Sequence, residues 1–233
     1  LLTNLVKAEL ESSAQEFGDP RRSPIVARGE AKAFSERDIL SIDPITVILS
    51  KHGWIRSAKG HDFDPKTLSY KAGDTFLASS TGRSNQSVFF LDSTGRSYAL
   101  ASHTLPSARG QGEPLTGRLN PPSGVHFCDV IMGADSQHIL LGNDAGYGFV
   151  TSLDMLNTKN RSGKAVISIP AGGKILSVKF ISDKTSLIAA VSSAGRLLLF
   201  PVRELPYLSK GKGNKIISIP ASRIINREEY VID

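Results

Sequence analysis

The spacing of apolar residues changes once along the chain. In residues 1–17, LLTNLVKAELESSAQEF, apolar side chains recur on one side of a helical wheel with acidic residues between them. This pattern predicts an amphipathic helix, which the following Gly-Asp-Pro would end. From Ile45 onward, apolar runs are separated by Gly, Asp, Asn and Ser, which is typical of strands and turns. The sequence therefore predicts a short N-terminal helix and linker over residues 1–40 and an all-β domain over residues 41–233.

The all-β part contains a repeated unit. Four segments each consist of a strand, a short turn ending in Gly and a second strand: ITVILSKHGWIRSAKG, SVFFLDSTGRSYALAS, HILLGNDAGYGFVTSL and LIAAVSSAGRLLLFPV. The turn glycines are Gly53, Gly95, Gly146 and Gly195. A glycine suits the positive φ that tight hairpin turns require. Hairpins at intervals of about 40 to 50 residues indicate a repeat architecture such as a propeller, in which each repeat forms one blade.

A glycine-bearing polar loop follows each hairpin, and a strand follows each loop. The loops read LSYKAGD, LPSARGQGEPLTG, NTKNRSGK and LPYLSKGKGNK. The similar stretches NRSGKAVISIP (160–170) and SKGKGNKIISIP (209–220) are thus the same element of successive repeats. A single blade cannot cover its own apolar faces, so the blades must pack around a common centre. The final segment, EEYVID, is predicted to open a fifth repeat.

Charge and composition indicate which class of binding partner the chain would have. The chain has 233 residues, 40% of them apolar, and a net charge of +6. Between Ile42 and Pro220 there are 20 Lys and Arg against 12 Asp and Glu, so the positive excess belongs to the repeats. This favours a polyanionic partner. The lone Cys128 cannot form an internal disulfide, which fits a reducing, cytoplasmic setting. No run of 18 apolar residues occurs, so no membrane span is predicted.

These hairpins and loops resemble a known family. FGDPRRSPI (17–25) resembles the segment that leaves the breakage-reunion core in the A subunit of bacterial type IIA topoisomerases, the gyrase and topoisomerase IV group. The segments SKHGWIRSAKGHD, STGRSYAL, LPSARGQGEPLTG, DAGYGFV and LSKGKGNKII resemble the C-terminal domain of the topoisomerase IV branch in particular. The resemblance implies a β-pinwheel, a propeller-like fold whose neighbouring blades exchange strands. Four blades and the start of a fifth are recognisable here.

The resemblance also implies a function. The family's domain binds and bends duplex DNA around its outer rim without sequence specificity, and guides substrate choice in ATP-dependent supercoil relaxation and decatenation. The implied partners are duplex DNA, a second copy of the A subunit, and the ATPase (B) subunit, in a heterotetramer acting in the cytoplasm on the bacterial chromosome. The full enzyme of the family uses ATP and Mg²⁺, whereas no cofactor is expected in this fragment.

One loop departs from the gyrase pattern. The A subunit of gyrase carries a Gln-Arg-Arg-Gly-Gly-Lys-Gly box in its first blade. The equivalent loop here, KTLSYKAGD (66–74), keeps Lys71 and Gly73 and lacks the paired arginines and glycines. This departure agrees with topoisomerase IV, and it predicts a bend in the DNA rather than a complete wrap of fixed handedness.

Cations on the repeated loops are the candidate DNA contacts. Rim loops recur at one place around a ring of blades, and neighbouring glycines let the main chain approach a phosphate. The candidates are Lys71, Arg109, Lys159, Arg161, Lys164, Lys210, Lys212 and Lys215. The alternative is that these loop charges are simply solvated. The cations of the hairpin turns are weaker candidates, because turn chemistry also explains them; they are Lys51, Arg56, Arg96 and Arg196.

Other chemistry finds little support in the sequence. The resembled family cleaves DNA with a tyrosine preceded by arginine, and none of the five tyrosines here follows an arginine, so no catalytic residue is predicted. HDFD (61–64) is interpreted as a surface turn, so no metal site is predicted. Tyr98, Tyr147 and Phe200 lie inside strands and are interpreted as packing residues rather than base-stacking platforms. The alternative function is a propeller-like protein-interaction scaffold whose basic rim is incidental.

Overall fold

The chain forms two compact units, Leu1–Phe34 and Ser35–Asp233. The computed structural model describes residues 2–19, 22–23, 41–183 and 187–232. In the first unit, helix α1 (Leu2–Phe17) lies where the apolar spacing predicts a helix, and all of its side chains are exposed. The rest of the predicted linker, residues 24–40, lies outside the described residues. Within the described ranges, no helix is long and apolar enough to cross a membrane.

The second unit is built mainly from short strands. In chain order they are β1 (Pro44–Ser50), β2 (Trp54–Lys59), β3 (Phe76–Arg83), β4 (Ser87–Asp92), β5 (Arg96–Ala101), β6 (Glu113–Pro114), β7 (Phe127–Met132), β8 (His138–Asn143), β9 (Tyr147–Ser152), β10 (Lys164–Ala165), β11 (Lys179–Phe180), β12 (Leu187–Val191), β13 (Leu197–Pro201) and β14 (Asn214–Lys215). A short helix, α2 (Ala221–Ile225), follows them.

These strands form four antiparallel sheets, which we call blades one to four. Blade one has the order β3-β1-β2-β6, blade two β10-β5-β4-β7 and blade three β11-β8-β9-β14. Blade four is the two-stranded sheet β12-β13. The four predicted hairpins are the pairs β1–β2, β4–β5, β8–β9 and β12–β13, each with its glycine in the turn. The repeat architecture inferred from the glycine spacing is therefore confirmed.

One edge strand of each four-stranded blade comes from the next repeat. Strand β6 pairs with β2, β10 with β5 and β14 with β9. The carbonyl of Gly95 accepts hydrogen bonds from the N–H groups of Val166 and Ile167, at 3.0 and 3.1 Å, and the carbonyl of Gly146 accepts the same pair from residues 216 and 217. The two similar stretches in the sequence thus perform one task twice, because each closes the edge of the preceding blade.

Each hairpin turn is closed by the side chain three residues before its glycine. The residues at this position are Ser50, Asp92, Asn143 and Ser192. Each accepts the backbone N–H of the residue after the glycine, at 3.0 to 3.4 Å. The four glycines have φ between 76° and 86°, the left-handed region that other residues avoid. Short polar side chains stabilise such turns locally, which explains why the hairpins can be recognised in the sequence.

The hydrophobic core lies between successive blades. One cluster joins blades one and two and includes Val47 and Phe90, and a second joins blades two and three around Phe149. Tyr98 belongs to the first cluster and is fully buried, and its hydroxyl donates to Asp92 at 2.7 Å. Burial and this hydrogen bond raise the pKa of Tyr98. Its interpretation as a packing residue is confirmed.

The final segment, predicted to open a fifth repeat, pairs instead with blade four. Val231 forms an antiparallel bridge with Ser192, and the N–H of Ile232 donates to the carbonyl of Val191 at 2.9 Å. This is the edge that β3, β7 and β11 occupy in the other blades, since each of them pairs with the first strand of its hairpin. The segment therefore belongs to the fourth repeat, and main-chain pairing with a distant strand decides this.

A buried carboxylate holds that segment in place. Glu229 is almost fully buried and accepts hydrogen bonds from Ser192, Arg196 and Arg223. Burial alone would raise the pKa of Glu229, but the hydrogen bonds from Arg196, Ser192 and Arg223 outweigh it and lower the pKa. Glu229 is therefore ionised at neutral pH, and it ties the last described residues to the fourth hairpin.

Candidate nucleic-acid interface

Strand exchange places a basic loop on the preceding blade. The loop of the second repeat runs beside β2: the N–H of Ser57 donates to the carbonyl of Pro106 at 2.7 Å, and the N–H of Ala108 donates to the carbonyl of Ser57 at 2.8 Å. The loop of the fourth repeat runs beside β9 in the same way, with Val150 in place of Ser57 and Pro206 in place of Pro106. The cations on these loops therefore recur at an equivalent place in different blades.

Blade one receives cations from two repeats. Lys71, from the first repeat, places its Nζ atom 3.3 Å from the centre of the Trp54 ring. Arg109, from the second repeat, is exposed on the exchanged loop. Arg56 is buried, and its Nη1 atom donates to the carbonyl of Gly110 in that loop at 3.2 Å. The first repeat's loop lacks the paired arginines of the gyrase box, but the first blade gains Arg109 by strand exchange.

Blade two carries the loop with Lys159 and Arg161. Both side chains are exposed, and with Arg118 they line an open cleft of about 370 Å³. Lys164 differs from them: it is half-buried, and its Nζ atom donates to the carbonyl of Met155 at 3.0 Å. Its ammonium group therefore has a structural partner within the loop, while Lys159 and Arg161 face solvent.

Blade three carries the most concentrated charge. Lys210, Lys212 and Lys215 are all exposed on or beside β14. The Nζ atoms of Lys212 and Lys215 lie 3.8 and 5.7 Å from the centre of the Tyr147 ring. These two ammonium groups near one ring create a local positive potential, which favours an anionic ligand.

Two arginines in the hairpin turns donate hydrogen bonds to main-chain carbonyl groups. Arg96 donates from Nε to the carbonyl of Ser162 and from Nη2 to the carbonyl of Gly163, both at 2.9 Å. Arg196 donates to the carbonyl of Ser218 at 2.9 Å in addition to its contacts with the buried carboxylate described above. These bonds fasten segments that lie distant in sequence to each hairpin, which agrees with a structural role for both arginines.

Sequence reasoning missed two residues of this surface, Trp54 and Arg118, and assigned a third, Tyr147, to packing alone, a role it also has beside a cluster of buried residues. Trp54 and Tyr147 lie under lysines, and both directly follow a hairpin glycine, Gly53 or Gly146. That shared position is the signal that could have found them. Arg118 lines the blade-two cleft from the segment LTGRLN, which has no counterpart in the other loops and so gave no repeat signal.

The HDFD turn is accounted for by local contacts. Asp64 accepts the backbone N–H of Lys66 at 2.9 Å and caps a short 3-10 turn, and the Nε2 atom of His61 lies 3.1 Å from the carbonyl of Gly82. In the described part of the chain, no three His, Cys, Asp or Glu side chains are grouped so that they could hold a metal ion.

Comparison with known proteins shows which proteins this chain is similar to. A family model described as "DNA gyrase C-terminal domain, beta-propeller" matches residues 137–182 and 187–222. The chain is 53% identical over 230 residues to the A subunit of DNA topoisomerase 4 from Haemophilus influenzae, covering 99% of this chain and 31% of that protein. It is 54% identical over 233 residues to the same subunit from Pseudomonas aeruginosa, covering 100% of this chain and 31% of that protein. The chain thus spans about a third of the length of these curated relatives.

A solved structure agrees with the sequence relatives. The structure of the E. coli ParC C-terminal domain matches with a TM-score of 0.76 at 51% identity, covering 82% of this chain and 78% of that one. Blades with exchanged edge strands and this family match define a β-pinwheel of the gyrase C-terminal-domain class. Within that class, the chain belongs to the family of DNA topoisomerase 4 A subunits, and it corresponds to their C-terminal domain. The resemblance inferred from the hairpin and loop motifs is confirmed.

Proposed function

We propose that this chain binds and bends duplex DNA without sequence specificity. The observation that carries the proposal is the recurrence of exposed loop cations on three consecutive blades. A DNA duplex presents phosphates at regular intervals along its length, and lysines and arginines that neutralise them release bound counterions. Contacts to phosphates position a protein on DNA but carry no base sequence. A series of cations at one place in each blade suits such an extended ligand.

We infer the wider role from the curated relatives, which are named as A subunits of DNA topoisomerase 4. The complete protein would act with a second copy of itself and with the ATPase (B) subunit in an ATP- and Mg²⁺-dependent type IIA topoisomerase. Its proposed activity is supercoil relaxation and decatenation on the bacterial chromosome in the cytoplasm. In that enzyme this domain would guide the choice of DNA segment and take no part in strand cleavage.

Two duplexes of equal length and unrelated sequence should bind with affinities that agree within about twofold, because phosphate contacts dominate. Fluorescence anisotropy at one salt concentration measures both affinities. A protein-interaction scaffold with an incidental basic rim would leave both duplexes unbound even above about 100 µM, the weak end of non-specific DNA binding. A strong preference for one duplex would also contradict the proposal.

Nicked DNA circles resealed in the presence of this chain should show little change in linking number. The reason is the loop of the first repeat, KTLSYKAGD (66–74), which lacks the paired arginines and glycines of the gyrase box. A rim without that box favours a bend in the DNA without a closed turn of fixed handedness. Gel separation of the resealed circles gives the linking number, and a gyrase-type domain is the positive control. A large shift of a single sign would show that the rim wraps DNA fully.

A further inference from the structure

The residue after the hairpin glycine occupies one defined place in each of the first three blades. Trp54, Arg96 and Tyr147 each begin the second strand of their hairpin. Each pairs with the second residue of an exchanged strand: Trp54 with Pro114, Arg96 with Ala165 and Tyr147 with Lys215. In blade two this side chain is Arg96, which donates two hydrogen bonds to main-chain carbonyl groups of the neighbouring loop. In blades one and three it is an aromatic ring that lies beneath lysine ammonium groups.

We propose that Trp54 and Tyr147 are positioning residues for DNA binding, an inference that rests on the proposed function. Their rings hold the lysines of the basic loops at the blade edge before DNA arrives. Trp54 holds Lys71, whose Nζ atom lies 3.3 Å from the ring centre. Tyr147 holds Lys212 at 3.8 Å, with Lys215 at 5.7 Å from the same ring.

The physical basis is the flexibility of lysine. An exposed lysine has four rotatable side-chain bonds and loses rotamer freedom when it forms an ion pair, which weakens surface ion pairs. An aromatic face attracts the ammonium group through its quadrupole. The group keeps its charge, and its N–H donors that point away from the ring can still reach a phosphate oxygen. A lysine already held in place therefore binds a phosphate at a smaller entropic cost.

The blade-three geometry favours an incoming anion. Lys212 and Lys215 both lie near one ring, so each raises the positive potential at the other, and a phosphate bound beside them lowers that potential. The ring could also have the opposite effect on DNA binding. A ring that held the lysines away from DNA would compete with the phosphates for them. Removing the ring therefore weakens DNA binding if the ring positions the lysines and strengthens it if the ring sequesters them.

The first test replaces Tyr147 by leucine, which keeps an apolar side chain and removes the aromatic face. Duplex affinity should fall about two- to fivefold, the size of a cation–π contact at an exposed site. The dependence of affinity on salt should keep its slope, because no charge is lost. Tyr147→Phe retains a ring and should recover most of the affinity. Urea unfolding of each variant shows that the fold is intact.

A double-mutant cycle separates positioning from packing. In a chain that carries Lys212→Met and Lys215→Met, Tyr147→Leu should no longer change the affinity, because the ring has no cation to hold. Tyr207→Leu is the control, because Tyr207 lies on the loop that carries the two lysines. Tyr207 is half-exposed, its ring contacts His138 and its hydroxyl donates to Ser152 at 2.6 Å, so its loss should leave DNA binding unchanged.

Blade one offers an independent readout, since Trp54 is the single tryptophan of the chain. Lys71→Met removes the ammonium group from the indole face and should change the emission spectrum of the free protein. Added duplex should change the wild-type spectrum, and this response should be lost in the Lys71→Met variant.

The outcomes distinguish the two proposals. A wild-type chain that binds no duplex contradicts the proposed function. A wild-type chain that binds duplex while Tyr147→Leu binds equally well, or more tightly, contradicts only the positioning role. The same conclusion follows if Tyr147→Leu causes an equal loss with and without the two lysines, because the ring would then act through packing alone.

Discussion

Duplex binding by this chain should weaken roughly 300- to 1000-fold between about 50 and 200 mM salt. Seven of the eight candidate loop cations are exposed on blades one to three: Lys71, Arg109, Lys159, Arg161, Lys210, Lys212 and Lys215. If about five of them neutralise phosphates, the logarithm of the affinity falls with the logarithm of the salt concentration at a slope of roughly −4 to −5. A slope near zero would show that DNA does not bind through these charges.

Replacing Lys210, Lys212 and Lys215 by glutamate should remove most of this binding. A contribution of about 1 kcal/mol from each exposed charge-assisted contact already corresponds to a loss of roughly a hundredfold. The salt slope should become shallower by about 3, one unit for each lost phosphate contact. The fold should persist, because surface substitutions usually change the free energy of unfolding by less than about 0.5 kcal/mol.

The matched control replaces Lys7, Lys32 and Arg37, which precede the blades in the sequence, by glutamate. Lys7 lies on the separate helix α1, and the other two residues lie outside the described ranges. This variant has the same net charge as the blade-three variant, so it should bind nearly as well as the wild type if position matters. Equal losses in both variants would mean that only total charge attracts the DNA, and the loop assignment would be wrong.

Substitution of Gly146 by alanine should destabilise the domain far more than substitution of Gly195. Both are hairpin glycines with φ near 80°, so each change incurs the cost of a left-handed residue, about 1–2 kcal/mol. At Gly146 the new Cβ would lie 2.3 Å from the carbonyl oxygen of Ile217, which is main chain of the exchanged segment and cannot swing aside. At Gly195 nothing lies within 4 Å.

The additional cost at Gly146 comes from separating two main-chain segments. Its carbonyl accepts hydrogen bonds from the N–H groups of Ile216 and Ile217, at 2.7 and 3.3 Å, and relief of the clash would break both. At about 1 kcal/mol for each bond, the total loss should reach about 3–4 kcal/mol. Urea and thermal unfolding measure the difference, which should appear as a Tm lower by roughly 5 °C or more in Gly146→Ala than in Gly195→Ala. Similar stabilities would contradict the importance of the exchanged strand.

Much of this fold is encoded locally. A short polar residue, such as Ser50 or Asn143, a glycine three positions later and two apolar runs specify a hairpin within about 15 residues, because the turn's hydrogen bonds stay inside that segment. The sequence by itself therefore determined the four hairpins, their spacing, the helix over residues 2–17 and the basic character of the loops. Its family motifs also determined the kinship with the A subunits of DNA topoisomerase 4.

Only the tertiary structure decided which blade each loop lies against. The exchanged strands are two residues long, too short for a periodic signal, and their partners lie 58 to 69 residues away. Long-range pairing therefore moved Arg109 to blade one and placed the final segment on blade four. It also brought Lys212 onto the ring of Tyr147, a contact between residues far apart in sequence that depends on which strands lie side by side. Local chemistry can specify a hairpin, but a binding surface shared by successive repeats exists only once their strands have been exchanged.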